Sequence, residues 1–446
     1  MASAAEQLAA NLNFSAFNKA TELKKRLWFT LGALIVYRLG TYIPLPGIDP
    51  VILQDIFRQQ AGGILGMFNM FAGGALGRMT IFALNIMPYI SAAIIMQLMT
   101  SISPSMNQLK KEGATGQKKI NQYTRYLTVL IATMQAYGIA VGIEGMQGSL
   151  GSAVVSPGAF FRFTAVVTLV GGTMFLMWLG EQITARGVGN GISLIIFAGI
   201  VAELPSALAG TLELGRTGAL SSGIITTILI MAVFVIYAIV FVERGQRRLV
   251  VQYPKRQQGN KMYGGESSHL PLKINTSGVI PLIFASSLLL MPTTVISFMA
   301  NTGPEWLTTI SSLLGRGQPS YLIIYSALIA FFAFFYTAVV FNPEETADNL
   351  KKNGGFIPGI RPGKNTAEYL EYVTTRLTVV GASYLVAVAL LPEILISQWS
   401  VPFFFGGTSL LIVVTVTMDT VAQVQSHMLA HQYEGLIKKS RLKGRR

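Results

Sequence analysis

The sequence predicts an all-α membrane protein with ten transmembrane helices, from its composition, its apolar stretches and the distribution of its basic residues. Hydrophobic residues make up 51% of the 446-residue chain and charged residues only 12%, against about 25% charged in a typical soluble protein. The mean hydropathy is +0.51. A membrane span needs about 20 mostly apolar residues. Ten stretches meet this requirement: residues 26–43, 76–100, 123–144, 160–182, 188–207, 220–242, 276–298, 320–341, 373–396 and 402–425.

The basic residues alternate from one connecting segment to the next. With the N-terminus inside, 27 of the 34 Lys and Arg residues fall in cytoplasmic segments and 5 in external ones. Because Lys and Arg accumulate in the cytoplasmic loops of membrane proteins, this alternation predicts ten spans with both termini in the cytoplasm. The net charge of +14 therefore indicates orientation first, rather than nucleic-acid binding.

Ionisable side chains are nearly absent from the interiors of the ten stretches. Ion-coupled transporters usually need such groups at membrane depth, and an intramembrane protease needs a catalytic pair there. A ten-helix secondary transporter or flippase stays open, because broken helices can build a site from backbone groups. No metal or other cofactor is expected, since the chain has no Cys and its His residues lie outside the stretches without ligand spacing (His269, His427, His431).

A weak internal repeat relates the second stretch to the seventh. Residues 86–93 align without gaps on residues 279–286, with Pro, Ile and Ala at matching positions. A five-plus-five inverted duplication would pair these two helices, although a match of this length also leaves chance agreement open. Pro88 and Pro281 each remove a backbone hydrogen bond and permit a kink, so both helices are candidates for moving parts.

The segment 61–74, between the first two stretches, is apolar but too short to cross a bilayer. It is either a re-entrant, buried segment or a helix lying flat in the membrane interface. The residues alone leave both alternatives open.

Seven stretches of the chain resemble signature sequences of the SecY/Sec61-alpha family of protein-export channels: residues 69–76 (NMFAGGAL), 86–92 (IMPYISA), 187–193 (GVGNGIS), 242–248 (VERGQRR), 341–350 (FNPEETADNL), 358–363 (PGIRPG) and 405–410 (FGGTSL). The similarity runs in order from about residue 20 to the C-terminus. One departure is Asn85, where related sequences carry Gly. It places a polar amide beside the constriction that the resemblance implies.

The resemblance implies two pseudo-symmetric inverted halves of five helices around an hourglass pore. A plug helix would close the outer funnel, and a lateral gate would lie between the second and seventh helices. The implied regions are a cytoplasmic tail (1–25), an N-terminal half (26–207) with the plug at 61–74, an external hinge loop (208–219), a C-terminal half (220–425) with cytoplasmic loops at 243–275 and 342–371, and a basic cytoplasmic tail (426–446).

The implied function is that of a passive channel, not an enzyme. It would move unfolded secretory polypeptides across the bacterial inner membrane and release membrane-protein helices sideways into lipid, driven by the SecA ATPase or by the ribosome. The implied partners are SecE, SecG, SecA, the ribosome through its rRNA phosphates, signal peptides and nascent chains, the accessory proteins SecDF and YidC, and anionic lipids.

The resemblance assigns a pore ring to six isoleucines: Ile86, Ile90, Ile192, Ile196, Ile283 and Ile412. Aliphatic side chains cannot replace the hydration shell of an ion, so a narrow apolar ring would block ions by dewetting. The alternative is that these residues face lipid, as most isoleucines in membrane helices do. The implied plug comprises Gly62, Gly63, Ile64, Leu65, Gly66, Met67, Phe68, Asn69, Met70, Phe71 and Ala72.

Five residues match the lateral gate of the family: Ser91, Gln97, Thr124, Asn275 and Met291. Small polar groups facing one another across a helix interface form weak hydrogen bonds, about 0.6 kcal/mol each on average in membranes. Each hydroxyl could instead bond to the backbone of its own helix.

Basic residues in the two cytoplasmic loops are candidates for docking SecA or the ribosome: Arg247, Arg248, Lys255, Arg256 and Arg361. Prolines on both sides stiffen the turn around Arg361. Alternation over residues 248–253 predicts a hairpin strand in the first of these loops. The alternative is that the basic residues only follow the positive-inside rule.

Overall fold

The computed structural model describes residues 21–59, 69, 72–145, 147–148, 151–217, 221–253, 256–258, 261–263, 267–299, 318–399 and 407–443. Most of this described chain is helical. Its helices are α1 (Thr21–Gly40), α2 (Pro50–Gln59), α3 (Met87–Ile102), α4 (Pro104–Lys111), α5 (Ala114–Gly145), α6 (Ala159–Arg186), α7 (Gly191–Arg216), α8 (Ser222–Arg244), α9 (Ile280–Met299), α10 (Pro319–Val340), α11 (Pro343–Lys352), α12 (Lys364–Trp399) and α13 (Gly407–Lys443).

Among the described residues, three small antiparallel sheets of two strands each accompany the helices. They pair β1 (Gln147–Gly148) with β2 (Gly151–Ser152), β3 (Gln246–Gln252) with β6 (Ser267–Lys273), and β4 (Arg256–Gln258) with β5 (Lys261–Tyr263). β3 and β6 are the arms of a hairpin between α8 and α9, with Gln246 opposite Lys273. The strand predicted at 248–253 is confirmed within this hairpin.

Within the described chain, seven helices are long and apolar enough to cross a membrane: α5, α6, α7, α8, α10, α12 and α13. The first, second and seventh predicted stretches correspond to α1, α3 and α9. α3 has 16 residues, about 24 Å of helix against a hydrocarbon core of about 30 Å. The all-α membrane class is thereby confirmed, while the count of ten spans stays a prediction.

The structure corrects the start of the second stretch. Residues 76–86 form buried turns rather than helix, and α3 begins only at Met87. These turns are tied to the chain that follows α1, where the Leu45 N–H donates to the Met79 carbonyl at 2.9 Å. Irregular backbone is tolerated at membrane depth where protein buries it. Hydropathy does not distinguish that environment from lipid.

Two further segments are more helical than the sequence suggests. α7 continues through residues 208–216 of the segment expected to form an external hinge loop. α13 runs to Lys443, well into the basic tail at 426–446. Both extensions are more polar than the membrane stretches before them, so an apolar window ends earlier than the helix does.

Eight helices pack in a closed circuit. Following the contacts from one helix to the next gives α3, α5, α6, α7, α13, α12, α10, α9 and then α3 again. The first four belong to the N-terminal half of the sequence and the other four to the C-terminal half. The halves of this circuit therefore meet at two seams, the first where α3 and α5 contact α9 and the second where α7 contacts α13.

The buried apolar side chains form one large cluster and two smaller ones. The large cluster includes residues from all eight helices of the circuit. A second cluster lies under the β3–β6 hairpin and joins it to α11 and α12: Leu249, Val251, Leu272, Ala347, Ile357, Ala367, Leu370 and Val373. A third joins α1, the α6–α7 turn and α13 through Leu23, Val188 and Met428.

Candidate functional site

The six isoleucines of the expected pore ring all belong to the large apolar cluster, five as core members and Ile192 packed against it. Ile86 and Ile412 are fully buried, and the most exposed of the other core members, Ile283, is only 9% exposed. Such side chains carry no polar atom that could hold water. The structure therefore places them in or against one apolar cluster, and their role as a pore ring stays a prediction.

The six isoleucines divide equally between the elements that border the two seams. Ile86 and Ile90 are one helical turn apart at the start of α3, and the same spacing relates Ile192 and Ile196 on α7. α9, which packs on α3, supplies one further isoleucine, and α13, which packs on α7, supplies the last. The helices that border each seam thus carry three of these isoleucines, with Ile86 counted as the residue that caps the start of α3.

Asn85 lies directly before this cluster, in a turn whose geometry explains the residue. Its backbone φ is +49°, in the left-handed region that Gly adopts freely and that Asn tolerates better than most residues. The side chain is buried, and the backbone N–H donates to the carbonyl of Phe82 at 2.8 Å. The polar amide noted in the sequence therefore does lie beside Ile86.

We expect Asn85→Gly to leave stability within about 0.5 kcal/mol of wild type and Asn85→Val to lose about 1–2 kcal/mol, because a β-branched residue is strained at positive φ. Thermal unfolding of the purified protein in mild detergent measures both. Asn121→Val, at an exposed position inside α5, is the matched control. Equal melting of the two Asn85 variants would show that backbone strain does not decide this position.

Most of the expected plug lies outside the described residues: Gly62, Gly63, Ile64, Leu65, Gly66, Met67, Phe68, Met70 and Phe71. Asn69 and Ala72, at its C-terminal end, are described. The Asn69 side-chain oxygen accepts from the N–H of Gly77 at 2.6 Å, and its carbonyl accepts from the N–H of Gly74 at 2.8 Å. The chain that leaves this segment is thus held in a compact turn.

Two arginines hold the backbone at Gly73, directly after that segment. Nη1 of Arg38 on α1 donates to the Gly73 carbonyl at 2.8 Å, and Nη2 of Arg78 donates to the same oxygen at 2.9 Å. Gly73 has φ +61°, and a Cβ there would lie 2.9 Å from the Cα of Gly199 on α7. Sequence reasoning gave these arginines no role. The available signal was Arg78, one of the five basic residues in segments that the sequence predicts to be external.

The candidate gate residues on α3 and α5 lie near one another. Gln97 and Thr124 line one cavity of about 270 Å³ between these helices, and Ser91 is buried on α3. The Thr124 hydroxyl donates to the Ile120 carbonyl of its own helix at 2.9 Å, which is the local bond that competes with a cross-helix role. Met291 lies on α9, but its side chain falls outside the described part of the structure.

Asn275 lies instead in a buried polar network at the base of the β3–β6 hairpin. Its Nδ2 donates to Oε1 of Glu243 at 2.7 Å and to the Gly278 carbonyl at 3.0 Å, while its Oδ1 accepts from the Ser277 hydroxyl at 3.0 Å. The network joins the end of α8 to the turn that leads into α9. Sequence reasoning did not pair Asn275 with Glu243, which is distant along the chain.

The seam between α3 and α9 also contains a weak polar contact. In the part that the structure describes, the Ser287 hydroxyl of α9 donates to the Met87 sulfur of α3 at 3.6 Å. A thioether sulfur is a poor acceptor. Met87 itself belongs to the large apolar cluster, as do Leu282, Phe284 and Leu289 of α9, so apolar packing contributes more to this seam than this contact does.

The docking candidates that the structure describes with their side chains are exposed: Arg247, Arg248 and Arg361. Lys255 lies outside the described residues, and Arg256 is described only as part of β4. The two loops are joined to each other, because the Gln252 N–H donates to the Phe356 carbonyl at 2.8 Å and the reciprocal bond measures 3.0 Å. The hairpin and the 353–362 loop therefore project as one unit, packed on the second apolar cluster.

The glycine-rich turn between α6 and α7, one of the resembling motifs, crosses the second seam. The Val188 N–H donates to the Thr30 hydroxyl of α1 at 3.0 Å, and the Gly189 N–H donates to Oε1 of Gln423 on α13 at 2.9 Å. Asn190 caps the start of α7 with its side-chain oxygen. This turn links the two halves of the chain at the end of α7 that carries Ile192.

A sequence profile of the SecY family matches residues 80–421, well over half of the chain. The chain belongs to the SecY family. SecY-family relatives include the protein translocase subunit SecY of Escherichia coli (strain K12), 58% identical over 424 residues, with 95% of this chain and 96% of the relative covered. The protein translocase subunit SecY of Vibrio cholerae is 56% identical over 434 residues, covering 96% and 97% of the two chains.

Solved structures of SecY-type channels share this fold. One described as a protein conducting channel covers 91% of this chain and 92% of its own, with a TM-score of 0.66 and 18% identity. Sec61 in the canine ribosome-channel complex gives the same coverage, with a TM-score of 0.61 and 17% identity. The family resemblance and the predicted class of protein, a multi-pass channel subunit of a protein translocase, are thereby confirmed.

Proposed function

We propose that this SecY-family chain forms the protein-conducting channel of the bacterial inner membrane. Unfolded secretory polypeptides cross through the centre of the eight-helix circuit, and membrane-protein helices leave sideways through the seam between α3 and α9, the lateral gate. The observation that carries the proposal is that the six isoleucines, five buried and Ile192 partly buried, belong to one apolar cluster and come in threes from the helices that border each seam of one closed circuit. The chain crosses the membrane ten times, with α1, α3 and α9 completing the set, and both termini are cytoplasmic.

A ring of isoleucines can seal a channel and still pass a polypeptide. At an aliphatic constriction an ion would lose its hydration shell, and a row of water molecules would lose hydrogen bonds, without finding replacement ligands. The resting ring is therefore closed by dewetting. A passing polypeptide supplies its own atoms to fill the gap, and aliphatic side chains change rotamer around it without binding it. Segment 61–74 is the plug that adds a second seal on the external side.

The weak polar contacts of the first seam suit a gate. Ser287 and Met87 form a poor hydrogen bond, and cross-helix polar contacts in membranes contribute about 0.6 kcal/mol each. An apolar signal helix competes with α3 and α9 for the same apolar surface. A gate held by packing of this kind opens when such a competitor arrives.

The channel is passive, and the joined hairpin and 353–362 loop form its docking surface for SecA or the ribosome. Exposed guanidinium groups at Arg247, Arg248 and Arg361 suit carboxylate and rRNA phosphate partners. The Glu243–Asn275 bond lies between this surface and α9, so it can transmit displacement of the hairpin to the gate.

SecE and SecG complete the core complex, SecDF and YidC are accessory partners, and the basic tail meets anionic lipid.

Reconstitution tests the proposal. The chain is purified with SecE and SecG, placed in vesicles and supplied with SecA, ATP and a preprotein. We expect protease-protected preprotein that depends on both SecA and ATP. A secondary transporter would instead take up a small solute with the chain alone. Vesicles that hold SecE and SecG without the chain are the control, and an intact complex that protects no preprotein contradicts the proposal.

We expect deletion of residues 62–72 to leave an assembled channel that exports preproteins with defective signal sequences roughly tenfold better, because losing about 1.4 kcal/mol of closed-state stabilisation shifts an equilibrium tenfold. Export of defective and intact preproteins, measured side by side, tests this, with the intact one as control. If the deleted chain no longer assembles with SecE, segment 61–74 belongs to the structural core and is not a plug.

A further inference from the structure

A groove of about 880 Å³ lies on the C-terminal half of the molecule, between α10, α11 and α12. One wall is the last part of α10, from Phe334 onward, and the opposite wall is the first part of α12, as far as Thr378. α11 and the residues before it close one end. None of the roles proposed above uses this groove.

The local charge of the groove is opposite to that of the whole chain. Its lining carries the carboxylates of Glu344, Asp348, Glu368 and Glu371 and the ammonium group of Lys364, whereas the chain as a whole has a net charge of +14. All four carboxyl groups belong to exposed residues. The Lys364–Glu368 pair is 3.9 Å apart and exposed, so it neutralises little of this charge.

The helix dipole favours only one of these four carboxylates. Glu344 lies in the first turn of α11, where the dipole favours an acidic group. Asp348 lies beyond that first turn, and α12 has no acidic residue in its own first turn. Glu368 pairs with Lys364 one turn earlier on α12, so Asp348 and Glu371 are the two carboxylates for which neither the dipole nor a described ion pair accounts.

The groove is acidic at one end and apolar at the other. The carboxylates lie near α11, and the other end is lined by Phe334, Ala338 and threonines of α12. The buried hydroxyls of Thr374 and Thr378 donate to carbonyls of their own helix, each at 2.8 Å. These hydroxyls are therefore already bonded within α12. Ten residues separate Glu368 from Thr378, about 15 Å along the helix.

We propose that the groove seats one transmembrane helix of a partner membrane protein that carries Lys or Arg at its cytoplasmic end. Small side chains such as Ala338 and the threonines allow a helix to approach closely within the membrane. A partner helix that follows the positive-inside rule has its basic residues at the cytoplasmic face, opposite Glu368 and Glu371. The proposal rests on the cytoplasmic orientation of α11 given under the proposed function.

A soluble basic peptide fits this surface less well, because it would leave the apolar end of the groove empty. Charge complementarity and apolar length are both satisfied by a helix that runs from the bilayer into the cytoplasmic interface. The two requirements can be varied separately, which makes the pairing testable.

The absence of Cys from the sequence allows a clean cross-linking experiment. The chain, purified with SecE and SecG, carries Thr375→Cys inside the groove or Val379→Cys, an exposed site on the same helix outside its lining. The probe is a synthetic Leu/Ala-rich transmembrane peptide with one Cys and three Lys residues at one end. A second probe has Glu in place of each Lys. Disulfide formation in vesicles is measured as a function of peptide concentration.

We expect the Lys-ended peptide to cross-link to Thr375→Cys at least tenfold more efficiently than the Glu-ended peptide, and more than to Val379→Cys. Adding Glu368→Lys and Glu371→Lys removes this preference. Glu345→Lys makes the same charge reversal at one exposed residue of α11 outside the groove lining. This control variant retains the preference for the Lys-ended peptide. Equal labelling by both peptides, or equal labelling of both Cys sites, overturns the proposal, as does chain-to-chain cross-linking at Thr375→Cys that excludes the peptide.

SecA-driven preprotein uptake is measured in the same vesicles, so the two hypotheses fail separately. Normal uptake without selective peptide capture overturns the groove proposal alone. Selective capture without uptake supports the groove and counts against the proposed channel function.

Discussion

Serine at Ile86, Ile90 and Ile283 is expected to turn the resting channel into an ion leak. These three side chains are buried members of the large apolar cluster and belong to the elements that border the first seam. Burying an isoleucine is favourable by about 1.5–3 kcal/mol, and a hydroxyl in its place offers water a hydrogen bond. Every 1.4 kcal/mol by which the free-energy cost of hydrating the constriction falls raises the hydrated population tenfold. We therefore expect a resting conductance at least tenfold above wild type, measured in planar bilayers with the purified complex.

Two sets of variants separate wetting from other effects. Alanine at the same three positions opens nearly the same volume without a hydroxyl, so we expect it to leak less than the serine variant. Serine at three exposed isoleucines is the second control and is expected to stay silent: Ile35, Ile230 and Ile323, which are 52%, 66% and 69% exposed. A silent serine triple in an intact complex would remove the ring assignment and leave these residues as ordinary packing.

The membrane helices were predictable from the sequence because lipid leaves the backbone few options. A span must satisfy its own N–H and C=O groups, so a long apolar stretch in lipid is helical. The stretches at 123–144 and 160–182 accordingly fall inside α5 and α6. The same rule misplaced residues 76–86, which protein rather than lipid surrounds. Their backbone is satisfied by turns and by bonds to the chain after α1.

The contacts that hold the site together were not predictable, because they join residues far apart in the sequence. Arg38 and Arg78 meet at the carbonyl of Gly73, and Glu243 meets Asn275. Composition and periodicity describe a residue and its neighbours along the chain, and these bonds depend on how helices are placed side by side. The family resemblance supplied Asn275 as a gate residue, but only the structure shows that it is bonded at the base of the hairpin.

Glutamate at Arg361 is expected to abolish most SecA-dependent export while leaving the channel assembled. Arg361 is exposed, and its turn is held by its backbone, since the Arg361 carbonyl accepts from the Thr366 hydroxyl at 3.0 Å. Removing an exposed side chain normally changes stability by less than about 0.5 kcal/mol. At the centre of a contact surface, an Arg contributes about 2 kcal/mol or more, roughly 30-fold in affinity. Inverted vesicles with SecA and a preprotein measure export, and SecE co-purification measures assembly.

Two further variants show whether position and geometry matter or only charge. Lys118→Glu reverses a charge at another exposed position, in a segment predicted to be cytoplasmic, so export should stay near wild type if the effect belongs to the Arg361 turn. Arg361→Lys keeps the charge but loses the planar fork that pairs with carboxylates, and we expect intermediate export that recovers at high SecA concentration. Normal export by Arg361→Glu would make Arg361 one of the positive-inside charges. Loss of SecE association would show instead that Arg361 supports the fold. The complex with SecE forms before SecA arrives, so a weaker contact with SecA could not lower its abundance.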